Sequence, residues 1–185
     1  MRRVIIWVAG MSCVGKSTIF RKIINNYDKG ELIRPTKYFD CIKFDNFLII
    51  GGRYYNNTKN PGSDFIFAGK DRFKEFIKQE YPKHKNIIIE GQKFLRKEIL
   101  DWLIENYKIK IYYLSVDRNL LDKRSEERNS WWDKERTDKR TLNEIKRMNK
   151  ILSNKRFENI IEKRTNETEN DSENIKKEIM ELLEC

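Results

Sequence analysis

Residues 10–17 read Gly-Met-Ser-Cys-Val-Gly-Lys-Ser and fit G-x-x-x-x-G-K-[ST], the pattern of a phosphate-binding loop. Glycines at positions 10 and 15 permit backbone angles and close approaches that a Cβ would block. The loop can then turn its N–H groups around phosphate oxygens, next to the positive end of the following helix. Lys16 is placed to reach the outer phosphates, and the Ser17 hydroxyl to ligate Mg²⁺. The pattern therefore predicts a site for a nucleotide with a phosphate chain and magnesium.

The flanks of this loop agree with the motif. An apolar run over residues 4–9 is too short for a membrane span and is typical of a buried strand. Apolar residues at helical spacing follow in residues 18–24. A chance match in an ordinary strand-to-helix turn is the alternative, and the strand–loop–helix context argues against it. The residues predicted to contact the nucleotide are Gly10, Ser12, Cys13, Val14, Gly15, Lys16, Ser17 and Thr18.

A second apolar run, residues 86–91, ends in a carboxylate at Glu90. Ligands of open α/β sheets bind at the carboxyl ends of the strands. An acidic residue at such a point can hold Mg²⁺ directly or through water. Glu90 is therefore predicted to act with Ser17 at the metal, and the alternative is a carboxylate that caps the turn before Gln92.

Two arginines are predicted to act on the transferring phosphoryl group. Arg124 and Arg128 lie four residues apart, so a helix would place both on one side. Their guanidinium groups could stabilise the charge that develops during transfer. A solvated helix with salt bridges to neighbouring glutamates is the alternative. The 13 basic and 7 acidic residues between 118 and 156 favour a phosphate-facing lid.

Two aspartates are candidates for activating an acceptor hydroxyl. A carboxylate can take or orient the proton of a hydroxyl that attacks a phosphate. Asp45 is the first choice and Asp64 the second. A hairpin turn is the alternative role for Asp45, and a helix cap is the alternative for Asp64.

Basic and aromatic side chains occur together in predicted loops. Such interleaving suits an extruded or single-stranded base that stacks on a ring, and core packing is the alternative. The residues are Arg53, Tyr54, Tyr55, Trp131 and Trp132.

The net charge of +10 is unevenly spread, because residues 163–185 contain 4 basic and 7 acidic residues and the rest of the chain carries +13. A polyanionic partner is one explanation, and a Lys-, Asn- and Ile-rich composition is the other. No apolar run is long enough to cross a bilayer. Three cysteines, an odd number without metal-ligand spacing, indicate a reduced, cytoplasmic protein.

Strand patterns alternate with helix patterns, which predicts an α/β fold with a mostly parallel sheet covered on both faces. We expect one domain over residues 1–185, with an acceptor-side insertion at about 34–80 and a lid at about 118–152. The predicted strands are residues 4–9, 41–45, 46–50, 86–91, 110–116 and 157–161. The predicted helices are residues 16–26, 65–78, 94–107, 118–128, 141–152 and 173–184.

The loop at residues 10–17, Glu90-Gly91 and the Arg124/Arg128 pair resemble those of the P-loop kinases of the nucleoside and nucleotide kinase group. The resemblance covers nearly the whole chain. It implies a three-layer sandwich, a mostly parallel five-stranded sheet in the order 2-3-1-4-5, helices on both faces and a helical lid. It also implies Mg-ATP as the phosphate donor.

A narrower resemblance is carried by Gly52-Arg53-Tyr54, residues 61–64 and residues 88–92. These segments are similar to phage-type kinases that phosphorylate hydroxymethyl groups on pyrimidines in DNA. Where that family has Gly-Thr-Asp, this chain has Gly-Ser-Asp at residues 62–64, which keeps the hydroxyl. The resemblance implies 5-hydroxymethyluracil in DNA as the acceptor. It also implies acceptor contacts from Arg53, Tyr54, Ser63, Asp64 and Gln92.

Two other functions remain open from the sequence. A free nucleoside or nucleoside-monophosphate kinase would use the same donor site, with the basic segments serving the lid and solubility. A nucleotide-gated ATPase that grips nucleic acid would hydrolyse ATP without a phosphorylated product. The sequence leaves the oligomeric state open.

Overall fold

A computed structural model describes residues 3–27, 30–51, 54, 66–127 and 134–184, with side chains excluded for 134–141. Its strands are β1 (Val4–Gly10), β2 (Glu31–Thr36), β3 (Phe39–Lys43), β4 (Phe47–Ile50), β5 (Asn86–Glu90), β6 (Ile109–Ser115) and β7 (Ile161–Thr165). Its helices are α1 (Lys16–Ile24), α2 (Lys70–Glu80), α3 (Lys97–Asn106), α4 (Arg118–Glu127), α5 (Lys134–Leu152) and α6 (Glu169–Glu184). Within these ranges no helix is both long and apolar enough to cross a membrane.

The strands form one mixed sheet in the order β2-β3-β4-β5-β1-β6-β7. The predicted five-stranded sheet is therefore wrong: the sheet has seven strands, and β2 and β3 pair antiparallel with each other and β3 with β4. The other five strands pair in parallel as β4-β5-β1-β6-β7. Counted among themselves along the chain, these five follow one another as 2-3-1-4-5. An α/β fold with a largely parallel sheet is thus present, extended by an antiparallel hairpin.

The five parallel strands end at one edge of the sheet, which we call the carboxyl edge. Gly10 pairs with Leu114 there, Glu90 with Val8, and Ile50 with Ile89. Strands of this type are buried on both faces, and every residue of β1 is buried. The loop that follows β1 therefore begins on a rigid, central support.

Helices cover both faces of the sheet and make three layers. One core cluster joins the sheet to α2, α3 and α5 through side chains such as Phe73, Leu100 and Met148. The other joins it to α1 and α6 through side chains such as Phe20 and Ile179. The predicted coverage of both faces is confirmed. Burial of these apolar side chains is the main source of stability, at about 25 cal/mol for each Å² removed from water.

Two edge strands differ from the prediction. β2 is absent from the predicted strands. It contains Pro35, and an edge strand tolerates a proline that cannot donate to the ladder. The last strand was predicted at residues 157–161, but β7 is Ile161–Thr165. Its sequence is polar, so hydrophobic patterning does not show it. Ion pairs support it instead, including one from Arg164 Nη2 to Glu178 Oε2 at 2.9 Å.

Helix α6 begins four residues before its predicted start. Thr168 Oγ1 accepts a hydrogen bond from the Asp171 N–H at 3.1 Å, and Asp171 Oδ2 accepts one from the Thr168 N–H at 2.9 Å. This reciprocal pair satisfies N–H groups that a helix start leaves without partners. The hydrogen bond from the Thr168 N–H lowers the pKa of Asp171, and the Thr168 hydroxyl and the Glu167 N–H lower it further. The cap fixes the short β7–α6 connection, which lies against the phosphate-binding loop.

Candidate functional site

The loop at residues 10–17 leaves β1 at the carboxyl edge and enters α1. Three of its residues have positive φ: Gly10 at 146°, Cys13 at 67° and Gly15 at 87°. A Cβ on Gly10 would lie 2.6 Å from Leu114 O, so only glycine fits there. Cys13 is not a glycine, and its left-handed backbone costs about 1–2 kcal/mol. Such strain persists where the surrounding structure holds it and is common at ligand-binding loops.

The first turn of α1 supplies donors toward this loop. Thr18 and Ile19 donate their N–H groups to Gly15 O, at 3.1 and 3.2 Å. The N–H groups of Lys16 and Ser17 have no carbonyl one turn earlier, because they open the helix. The positive end of the helix axis therefore faces the loop, an arrangement that favours phosphate.

Lys16 lies across the loop with only 7% of its surface exposed. Its Nζ donates to Gly10 O at 2.9 Å and to Met11 O at 2.7 Å. An ammonium group carries three donors, so these two carbonyls fix the charge and leave one donor for a phosphate oxygen. Neighbouring Ser12 and Thr18 are exposed, whereas Val14 is buried.

Glu90 is joined to the phosphate loop directly. Ser17 Oγ donates to Glu90 Oε1 at 2.7 Å across the gap between α1 and β5. Tyr54 donates its hydroxyl to the other carboxylate oxygen, Oε2. The carboxylate is 4% exposed and is held on both oxygens. The structure thus brings together the two residues that the sequence predicts at the metal.

Tyr54 is buried and does not occupy the position that was predicted for it, in contact with the acceptor. It is 4% exposed, and its ring stacks on Phe20 of α1 with the centroids 5.6 Å apart. Its hydroxyl is directed to Glu90. Tyr54 therefore positions the carboxylate, and it does not offer a ring for a base to stack on.

The backbone after Glu90 is fixed by β1. Gly91 has a φ of 115°, and its N–H donates to Val8 O at 3.0 Å. Trp7 Nε1 donates to Gly91 O at 2.8 Å from the buried strand. These bonds turn the chain sharply at the carboxyl edge and keep the Glu90 side chain facing Ser17.

Asn166 belongs to no sequence motif, but it supports the phosphate loop through hydrogen bonds on the side of the β7–α6 connection. Asn166 Nδ2 donates to Val14 O at 2.7 Å, and Ser172 Oγ donates to Asn166 Oδ1 at 2.7 Å. The Asn166 N–H also donates to Ser115 O at 2.9 Å. A Cβ on Gly15 would lie 2.3 Å from Asn166 Nδ2, so the amide fits only against glycine.

Replacing Asn166 with alanine is expected to open the loop locally, because it leaves the buried Val14 carbonyl without its donor, at a cost of about 1–3 kcal/mol. Cys13, in the loop and 8% exposed, should be alkylated about tenfold faster by iodoacetamide, as followed by peptide mass spectrometry. Cys41, fully buried in β3, is the internal control for global unfolding. If Cys13 were alkylated at the same rate in wild type and in Asn166→Ala, Asn166 would not hold the loop. If the alkylation rate of Cys41 rose as much as that of Cys13, the effect would be global unfolding, which would also contradict a local role of Asn166.

Arg124 also contacts this support. Its Nη1 donates to Asn166 O and its Nη2 to Glu167 O, both at 3.0 Å. The guanidinium group is therefore used to tie α4 to the β7–α6 connection. The predicted role of Arg124 as a clamp on the transferring phosphoryl group is not supported by this geometry, and Arg124 is instead a positioning residue for the backbone beneath the loop.

Asp45 is placed wrongly for its predicted role. It is exposed in the turn between β3 and β4, where the Phe44 N–H donates to Phe47 O at 2.9 Å. Because β4 runs parallel to β5, this turn lies at the edge opposite the carboxyl edge. Asp45 precedes Ile50 by five residues, roughly 16 Å at the rise of a strand. The prediction that Asp45 activates the acceptor is corrected: it is a hairpin-turn residue.

Accordingly, Asp45→Asn is expected to leave phosphoryl transfer within about twofold of wild type, since surface substitutions far from a site have small effects. Initial rates at saturating ATP and varied acceptor give the comparison. A loss of about 100-fold, the size that removal of a catalytic group produces, would contradict this placement.

Gln92 and Arg147 meet at the carboxyl edge. Gln92 is 5% exposed, and its Oε1 accepts a hydrogen bond from Arg147 Nη2 of α5 at 3.4 Å. Arg147 is thus one of the described arginines that reach the end of β5, and no sequence motif sets it apart from the other basic residues of α5.

Arg147 also acts on Tyr113 of β6. Burial raises the pKa of Tyr113 and Glu144 raises it further, whereas the charge of Arg147 lowers it.

Four predicted site residues lie outside the described residues: Arg53, Ser63, Asp64 and Arg128. The aromatic candidates Tyr55, Trp131 and Trp132 lie outside them as well. Their roles stay predictions.

The donor set at Ser17 and Glu90 fits a magnesium ion that arrives with a nucleotide. No group of three or more His, Cys, Asp or Glu side chains that could hold a metal occurs among the described residues. Mg²⁺ bound with a nucleotide needs only one or two protein ligands, because phosphate oxygens and water complete its octahedron. One hydroxyl and one carboxylate, 2.7 Å apart, meet that need.

Comparison with known proteins finds similarity only to solved structures. No protein-family model matches the chain, and no curated protein sequence matches it. The chain is similar to the crystal structure of an uncharacterized protein from Eubacterium ventriosum ATCC 27560, with a TM-score of 0.48 and 17% sequence identity. The alignment covers 98% of each chain. A likeness of this degree says nothing about what the chain binds or does.

Proposed function

We propose that this protein is an ATP-dependent phosphotransferase that moves the γ-phosphoryl group to a hydroxyl on a nucleic-acid base, in the first place 5-hydroxymethyluracil in DNA. The observation that carries the proposal is the phosphate loop with its two partners. Lys16 lies across a loop in which three residues have positive φ, and the Ser17 hydroxyl donates a hydrogen bond to Glu90 at the end of the adjacent strand. Loops of this construction bind the phosphates of nucleoside triphosphates.

Each residue has a task that follows from its position. The loop N–H groups and Lys16 hold the phosphate chain and stabilise the charge of the transferring group. Ser17 and Glu90 supply the oxygen ligands for magnesium, which when bound neutralises charge on the outer phosphates. Tyr54 keeps the Glu90 carboxylate oriented. Asp64 stays the predicted group that receives the proton of the acceptor hydroxyl.

A nucleic-acid acceptor is favoured by charge. The chain carries a net +10, and the phosphates of DNA bind basic surfaces by releasing counterions. The similarity of residues 61–64 and 88–92 to phage-type kinases acting on DNA pyrimidines supports the same acceptor.

One observation favours a free nucleoside or nucleoside monophosphate instead. Several basic side chains are neutralised locally by carboxylates, as in Lys22 with Glu173 at 2.9 Å and Arg156 with Glu105 at 2.7 Å. These pairs leave the net charge of +10 unchanged, but they place basic side chains beside carboxylates and so interrupt the basic surface that DNA would contact. This alternative uses the same donor site and differs only in the acceptor.

The acceptor experiment compares two matched DNA duplexes, one with 5-hydroxymethyluracil and one with thymine at the same position, each incubated with γ-radiolabelled ATP. The proposal predicts label on the hydroxymethyl duplex alone, and binding that weakens as salt rises. Label on free nucleosides or nucleoside monophosphates, with none on either duplex, would establish the alternative. ATP hydrolysis without any phosphorylated product would contradict both.

A further inference from the structure

Phe67 is a large apolar side chain held in solvent beside the site. It is 83% exposed, the highest value among the exposed large hydrophobic residues of the described chain, where Leu32 has 60% and Leu142 has 54%. Its neighbour Ile66 is 7% exposed and belongs to the core cluster under α2 and α3. The anchored Ile66 fixes the backbone, so Phe67 is presented outward from a firm position.

Lys93 ties Phe67 to the carboxyl edge. Its Nζ donates to Ile66 O and stands 5.5 Å from the centroid of the Phe67 ring. The same Nζ lies 5.9 Å from the ring of Phe94. Lys93 follows Glu90 by three residues, so its Cα is within about 11 Å of the Glu90 Cα. A cation and an exposed ring therefore stand together next to the proposed phosphoryl-transfer centre.

A second cation approaches from α5. Arg147 Nη2 donates to Gln92 Oε1, one residue before Lys93. Arg147 Nε is buried and has no hydrogen-bond partner among the described residues, so one donor of the guanidinium group is unsatisfied. Buried donors of this kind are normally paired by protein, water or ligand. Arg147 and Lys93 thus bring two positive charges to the segment on which Phe67 rests.

An exposed aromatic ring beside two cations is a poor binding site for the apolar surface of another protein. One exposed ring gives little apolar area, whereas an aromatic face flanked by cations is the means by which proteins hold unpaired bases and the phosphates next to them. Tyr54, the ring that the sequence put forward for stacking, is buried. Among the described aromatic residues, Phe67 is the one whose ring is exposed to solvent and so available for stacking.

We propose that Phe67 is a stacking platform for an unpaired base of a DNA strand, with Lys93 and Arg147 contacting the phosphates beside that base. The site accepts a base that is single-stranded or turned out of a duplex, and it holds the strand near Glu90. This inference rests on the proposed function, since it names how the acceptor strand is held.

The test uses binding without ATP. A single-stranded oligonucleotide with 2-aminopurine at one position is titrated with the full-length protein, because stacking on an aromatic ring quenches this base. Wild type should quench the fluorescence, and Phe67→Trp should retain the effect. Phe67→Ala should bind about 5- to 100-fold more weakly, with the quench lost. Leu32→Ala, which removes another exposed apolar side chain on β2, is the matched control and should bind like wild type.

Lys93→Ala gives the charge readout. The slope of the logarithm of the binding constant against the logarithm of the salt concentration should fall by about 0.7 in magnitude, because one phosphate contact to a single strand is removed. Thermal unfolding of each variant establishes that it is folded. Equal binding and quenching by Phe67→Ala and wild type, or an absence of oligonucleotide binding by wild type, would overturn the platform.

The two proposals fail separately. Quenching that depends on Phe67, without phosphoryl transfer to any hydroxyl, would keep the platform and remove the kinase. Phosphoryl transfer to free nucleosides at the same rate in wild type and Phe67→Ala, with no quenching by either, would keep the kinase and remove the platform.

Discussion

Lys16→Ala is expected to lower phosphoryl transfer by about 100- to 1,000-fold, because it removes a preorganised cation from the point where charge develops on the transferring group. Lys16 is fixed by two carbonyls of the loop, at 2.9 and 2.7 Å, so its charge needs no rearrangement when the phosphate chain binds. The loss should fall on the turnover number more than on the Michaelis constant of the acceptor.

The measurement is the initial rate of label transfer from ATP over a range of acceptor concentrations. Lys177→Ala, an exposed lysine of α6, is the matched control and should keep the wild-type rate. Lys16→Arg keeps the charge but replaces a compact ammonium with a planar group, so it should recover little activity. A Lys16→Ala protein that transfers phosphate within a few fold of wild type would be incompatible with the proposed site.

Glu90→Gln is expected to reduce transfer by about 100-fold, since the amide keeps the shape of the side chain and its hydrogen bond from Ser17 but removes the negative charge at the metal. Much of the loss should be recovered at high magnesium concentration, because the change weakens metal binding rather than the phosphate loop. Rates measured over a magnesium titration test this.

Tyr54→Phe removes one hydrogen bond that Glu90 accepts and keeps another, from Ser17. It removes the hydroxyl that orients Oε2 and keeps the ring that stacks on Phe20, so a smaller loss, about tenfold, is expected. If Glu90→Gln showed the wild-type rate and magnesium dependence, the pairing of Ser17 with Glu90 would have only a structural meaning.

The geometry of the phosphate loop could be predicted because its information is local. Residues 10–17 carry their glycines, lysine and serine in one short motif, and the apolar runs on either side fix the strand and helix. Glu90 could be predicted since it ends a run of apolar residues, where a parallel strand places its last side chain near the loop. Both features depend on sequence neighbours and on one rule about parallel sheets.

The long-range contacts of the candidate site could not be predicted in the same way. The turn containing Asp45 is visible in the sequence, but which edge of the sheet it occupies depends on the direction of β4 beside β5. Asn166 supports a residue 152 positions earlier, and Arg147 meets a residue 55 positions earlier. Neither belongs to a motif, so only the folded chain brings Asn166 to the phosphate loop and Arg147 to Gln92.

The hydrophobic patterns predicted six of the seven described strands, and they missed β2 and misplaced β7 for a physical reason. Hydrophobic patterns detect strands that are buried on both faces, and β1 and β5 are of this kind. β2 and β7 are the outer strands of the sheet, and each has exposed residues along its length. Their polar sequences resemble loops, and the pairing with β3 and β6 is what makes them strands.

Equilibrium binding of nucleotides shows whether the loop at residues 10–17 holds a phosphate chain. Isothermal titration calorimetry with Mg-ATP, ADP and adenosine compares wild type with Lys16→Ala at ligand concentrations up to about 1 mM, the upper range of ordinary substrate affinities. If the loop at residues 10–17 binds the phosphate chain, ATP binds wild type at one site per chain, adenosine binds far more weakly, and Lys16→Ala loses most of the difference. Adenosine binding as tightly as ATP, or no binding of ATP at all, would contradict the account.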